Sequence, residues 1–106
     1  MTIIVLPDAQ QDLLALQDYM LDQWGESAWE QAENEIFEQL RRVESGILDG
    51  TPIPELAAIG LTNYRNILTS HHKLLYQRLD GTIYLYLAAS HRQYYPTLLM
   101  NRLLRR

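Results

Sequence analysis

A chain of 106 residues can build one modest hydrophobic core but not two, and its content of 47% apolar and 21% charged residues is that of a globular protein rather than a disordered one. The lack of cysteine excludes disulfide frameworks, thiolate nucleophiles and thiolate zinc sites, and no apolar run reaches the roughly 18 residues of a membrane span. The net charge of −4 conceals a division: residues 1–60 carry twelve acids against Arg41 and Arg42 (−10), whereas residues 61–106 carry Asp80 against seven bases (+6).

Taken in order, Thr2–Leu6 is short and β-branched and predicts a strand; it lacks the basic flank and long apolar centre of a signal peptide, so a cytoplasmic location is expected. Pro7 ends the strand and suits the first turn of a helix, where Asp8 and Asp12 meet the positive end of the dipole. Ala9, Leu13, Leu16, Met20 and Trp24 recur at three- and four-residue steps and predict the inward stripe of that helix. After Gly25 a second helix is predicted, with Trp29, Ala32, Ile36, Leu40 and Val43 inward and glutamates outward, closed by Gly46. Two such helices joined by a short turn form an antiparallel hairpin that must cover another layer.

Asp49–Gly60, with two prolines and two glycines, reads as a loop. Three β-rich runs follow: Tyr64–Thr69, His72–Leu79 and Thr82–Ala89, the last two joined by Asp80-Gly81, a two-residue hairpin turn. Pro96 then suits the first turn of a short helix bearing Leu99, Leu103, Met100 and Leu104. The hairpin turn sets Leu79 opposite Thr82, Tyr76 opposite Leu85 and Leu74 opposite Leu87. Alternation then predicts a core face of Leu74, Tyr76, Ile83, Leu85 and Leu87. Lys73, Leu75, Gln77, Tyr84, Tyr86 and Ala88 fall on an open, half-polar face, with Ser90 and Arg92 continuing it. Leu75, Leu79, Tyr84 and Tyr86 would form an exposed patch on that face, the mark of a binding surface.

All three histidines lie between His71 and His91. Adjacent strand residues point to opposite faces, so His71 and His72 do not readily share an ion, and no third ligand has a recognisable spacing. Neither a metal nor a cofactor is expected.

The sequence resembles the RelE/ParE superfamily of toxins from type II toxin–antitoxin pairs over nearly its whole length. The resemblance is carried by A-x-x-D-L at Ala9–Leu13, Tyr19, Trp24-Gly25, Ala28, the stretch from Ile36 to Leu40, and HHKLLYQRLDGTIYLYLAASHRQ with Tyr76, Ile83, His91 and Arg92 in diagnostic places. It implies a single domain over residues 1–106 with an α+β fold: an N-terminal strand, an antiparallel helix hairpin, a three-stranded antiparallel meander completing the sheet and a short C-terminal helix. It also implies a cognate, ParD-like antitoxin whose tail crosses the fold, and no membrane association.

The superfamily holds two activities. RelE-like members are ribosome-dependent endonucleases that cut mRNA, with lysines and arginines on the open sheet face and an acid–base side chain near the C-terminus. ParE-like members poison DNA gyrase by stabilising its cleaved complex with DNA. Here Tyr64 and Asn66 stand where RelE-like enzymes carry two lysines, and Leu98 where they carry a tyrosine; Lys73 and Arg92 match basic positions. Cleaving RNA by 2′-hydroxyl attack needs a base, cations and a proton donor, and on that reading His91, Arg92 and Lys73 would be catalytic. An acidic chain is also a poor guest for ribosomal RNA. The gyrase reading is therefore preferred, with Lys73, Tyr84, Tyr86, His91, Arg92 and Arg102 as target- or partner-binding residues.

Overall fold

The computed structural model describes residues 2–60, 63–91 and 95–104. Its elements are β1 (Thr2–Val5), α1 (Pro7–Trp24), α2 (Glu26–Ser45), β2 (Thr51–Pro52), α3 (Pro54–Ala57), β3 (Tyr64–Leu68), β4 (His72–Leu79), β5 (Thr82–Ser90) and α4 (Tyr95–Leu104). The sheet has the order β1-β5-β4-β3-β2, with β1 parallel to β5 and the other neighbours antiparallel.

Pro7 opens α1 with its fixed φ where a missing N–H costs nothing. The inward stripe of α2 is as expected: Trp29, Ala32, Ile36, Leu40 and Val43 are all buried. In α1, Ala9, Leu16 and Met20 are buried, but Trp24 is 59% exposed, a correction to the expected stripe. It is the last residue of the helix, where the turn at Gly25 carries the chain off the sheet before α2 begins.

Asp80 (φ 50°) and Gly81 (φ 79°) make the tight turn whose two positive φ angles match the strand twist. Leu79 faces Thr82 and Tyr76 faces Leu85, as the turn predicts. Beyond that the register shifts: Leu75 pairs with Leu87 and Leu74 with Ala88, so Tyr86 is an extra residue on β5. The bulge sends Leu87 to the face away from α1 and α2, where it packs with Leu75 and Ala89, and sends Ala88 to the helix-covered face. It corrects the expected pairing of Leu74 with Leu87, and with it the sides assigned to Leu87, Ala88 and Ser90.

The second correction concerns the face expected to be open. Segment 49–60 is structured: β2 extends the sheet and α3 drops Leu56 onto it, while Leu98 and Met100 of α4 close the same side. A second core results, of Ile53, Leu56, Tyr64, Leu75, Leu87 and Ala89, opposite the main core under α1 and α2. Of the patch expected to be exposed, Leu75 is buried, Tyr84 and Tyr86 are half-buried, and Leu79 alone is exposed.

Candidate functional site

The bulge determines where several candidate residues go. An extra residue in a ladder leaves backbone groups without strand partners, and these must be satisfied otherwise. Here the Ala88 N–H donates to Asp12 Oδ2 at 3.1 Å, and Arg102 Nη1 donates to the Tyr86 carbonyl at 2.9 Å. The guanidinium then grips the carboxylate: Arg102 Nη1 donates to Asp12 Oδ2 at 2.8 Å and Nη2 to Oδ1. Asp12 of α1, the bulge of β5 and Arg102 of α4 are thus one network, and Arg102 is spent on holding α4 against the sheet. The sequence carried a signal for it: an acid inside the A-x-x-D-L segment, one residue before inward-facing Leu13.

Tyr86, at the bulge, donates its hydroxyl to Gln77 Oε1 at 3.1 Å and sets its ring edge-on to Tyr64, 5.2 Å between centroids. Tyr84 is half-buried opposite Gln77. Lys73 pairs with Ala89 and so lies at the same end of the sheet as His91. Arg92 lies outside the described residues. Of the positions where a RelE-like enzyme carries its chemistry, Tyr64 and Leu98 belong to the second core, and the Asn66 Oδ1 accepts from Thr51 Oγ1 at 2.9 Å.

A second network was not anticipated. The Gly50 N–H donates to the Tyr76 hydroxyl at 2.8 Å, and that hydroxyl donates to Asp49 Oδ1 at 3.2 Å. Arg65 Nη1 donates to the Gly50 carbonyl at 2.9 Å. A Cβ at residue 50 would lie 2.4 Å from the Asn66 carbonyl oxygen, so only glycine lets the chain pass this close to β3. Burial, more than any neighbour, raises the Tyr76 pKa above its ordinary value of 10.0.

The histidines meet at the turn between β3 and β4. The Thr69 hydroxyl accepts from the N–H groups of His71 (3.2 Å) and His72 (2.9 Å), a local turn closed by its own side chain. His91 Nε2 donates to the Thr69 carbonyl at 2.9 Å. His72 points inward, edge-on to Trp29, and burial together with His71 and His91 lowers its pKa to about 4 against a weaker pull from Glu35. It is neutral at pH 7. Three imidazoles and Trp24 therefore share one end of the molecule, with His71 6.4 Å from the Trp24 ring. Among the described residues no group of three metal-ligating side chains is placed to hold an ion.

No helix of the described residues is long and apolar enough to cross a membrane. No curated protein matches the chain. Among solved structures, the chromosomal ParDE TA system from P. aeruginosa is similar with a TM-score of 0.66, covering 85% of this chain and 95% of that one. At 16% identity that likeness is one of fold. The model of the family described as ParE toxin of type II toxin–antitoxin system, parDE, matches residues 3–94. The chain belongs to the ParE toxin family of type II toxin–antitoxin systems.

Proposed function

We propose that the protein acts in the cytoplasm as a ParE-like toxin that holds DNA gyrase on cleaved DNA and is neutralised by a cognate, ParD-like antitoxin. The observation that carries this reading is the second core. The sheet face on which an RNA-cutting member would display cations and an acid–base group is filled by Tyr64, Leu75, Leu87, Ala89, Leu98 and Met100. General acid–base work needs a titratable group within reach of the substrate, and the one titratable side chain of these six, Tyr64, is 8% exposed with its ring packed edge-on to Tyr86. Holding a protein–DNA intermediate needs only a complementary surface. Lys73, Tyr84, Tyr86, His91 and Arg92 are the contacts we propose for it, with Arg102 acting indirectly by fixing α4.

The test is to incubate the purified protein with gyrase, ATP and supercoiled plasmid, and in parallel with translating ribosomes and mRNA. Linear or protein-linked DNA with intact message is the expected result. Message cut in the ribosomal A site, with cutting lost in His91→Ala or Arg92→Ala and gyrase untouched, would reverse the assignment to the endonuclease reading.

A further inference from the structure

A cleft of about 490 Å³ opens where the segment leaving α2 lies against the start of β3 and the end of β4. Leu48 and Asp49 line it from that segment, Asn63 and Arg65 from β3 and its approach, and Tyr76 and Arg78 from β4. Arg65 pairs with Tyr76, so Arg78, two residues further along the same face, is its diagonal neighbour. Diagonal positions stand about 7–8 Å apart, within reach of two long side chains. We propose that this cleft is a binding site for one carboxylate group, held between the guanidiniums of Arg65 and Arg78.

Three observations select that ligand. The first is unused donor capacity. A guanidinium carries its N–H donors in a planar fork. Arg78 spends one on the Val43 carbonyl near the end of α2, and Arg65 spends one on the Gly50 carbonyl. Both side chains are half-buried, so the donors left over are only partly served by water. The second is missing counter-charge. The chain has 13 acids against 9 lysines and arginines. Yet among the described residues Arg78 has no ion pair, and Arg65 has Asp49 at 3.8 Å, an aspartate that is 67% exposed. So long and solvated a contact neutralises little. Two half-buried cations side by side repel, and an oxyanion between them relieves both. The third is the size of the charge. Arg65, Arg78 and Asp49 are the charged residues of the lining, which leaves one net positive charge. The carbonyl end of α2 adds negative potential beside it. That balance suits a monoanion and disfavours a phosphate dianion, and the guanidinium fork matches the two coplanar oxygens of a carboxylate.

The site calls on neither gyrase nor ribosome, so its test is separable from that of the proposed function. The probe is sodium acetate, exchanged for sodium chloride at low, constant ionic strength while the Nε–H signals of Arg65 and Arg78 are followed by NMR. Saturable shifts at both signals are expected with acetate and not with chloride. Arg78→Lys keeps the charge but loses the fork, and should weaken acetate about tenfold, the loss of one charge-assisted hydrogen bond. Asp49→Asn keeps an acceptor for the Tyr76 hydroxyl and removes the competing charge, so acetate should bind roughly fivefold more tightly. If Arg78→Lys does not fold, the asparagine variant decides. Acetyl-Ala-Asp-Ala amide, run beside acetate, separates two sources of the same group. Tighter binding of the peptide supports an acidic side chain of a protein, and equal binding supports a free carboxylate. Shifts that chloride reproduces, or acetate binding unchanged in Asp49→Asn, would overturn the site. Inorganic phosphate binding more tightly than acetate to the wild-type chain would overturn the carboxylate assignment.

Discussion

At Tyr76 one hydroxyl answers two groups of the segment that leaves α2, accepting from the Gly50 N–H and donating to Asp49. Tyr76→Phe keeps the buried ring but strands that N–H, and should cost about 1–3 kcal/mol in urea unfolding. Gly50→Ala should cost at least as much, because the atom nearest the new Cβ is the Asn66 backbone oxygen, which cannot swing away. His72 provides a pH test. Its folded pKa of about 4 lies below the ordinary 6.5, so unfolding takes up a proton between those values. The stability from keeping it neutral is complete above pH 6.5 and drains as pH falls through 4, by about 3 kcal/mol in all. Stability measured from pH 7 to 4.5 should therefore fall more steeply in the wild type than in His72→Gln.

Among the elements, β5 organises the molecule, since its bulge decides which residues face which helices. Leu85→Asp and Leu75→Asp should both abolish folding, for each buries a lone carboxylate, one in each core. Tyr84→Ser should be tolerated at its half-buried position. Circular dichroism separates this from a sheet with one open face, on which Leu75→Asp would fold normally. Arg102→Met should cost about 3 kcal/mol, because it takes the guanidinium from the part-buried Asp12 carboxylate, leaving it only the Ala88 N–H, and from the Tyr86 carbonyl. Combined with Asp12→Leu the cost should be less than additive, and a double-mutant cycle measures that coupling.

For the whole molecule, two cores on opposite faces of one sheet make each face depend on the other. Deleting residues 95–106 would remove Leu98 and Met100 from the second core and break the Arg102 network. The shortened chain should aggregate, which gel filtration would reveal. The two tryptophans report the division between inside and outside: Trp29 is 5% exposed and Trp24 59%. Iodide should quench Trp24 and spare Trp29, so Trp24→Phe should leave an emission that is shifted to the blue and hardly quenched.

The amino-acid pattern alone was enough for α1, α2, the short C-terminal helix, the meander and the Asp80-Gly81 turn, because each is a local regularity, and the order of its motifs carried the resemblance to the family. The stripe Trp29, Ala32, Ile36, Leu40, Val43 repeats with the helical period, and a two-residue turn determines the pairing on either side of itself. It was also enough to note that Tyr64, Asn66 and Leu98 stand where other members of the superfamily carry catalytic groups. The bulge at Tyr86 was not legible. Its stabilising partners, Asp12 and Arg102, lie 74 residues before it and 16 after it, and no strand period encodes an extra residue. The second core escaped for a related reason: Ile53 and Leu56 sit in a proline- and glycine-rich stretch that reads as loop, and only the return of that stretch to the sheet shows Leu75 and Leu87 to be covered. The cluster of histidines with Trp24 depends on the same kind of event, since Trp24 and His71 are 47 residues apart and meet only when α1 is laid across the end of the sheet. Local periodicity selects elements; which faces they cover is decided by contacts between residues that the chain holds far apart.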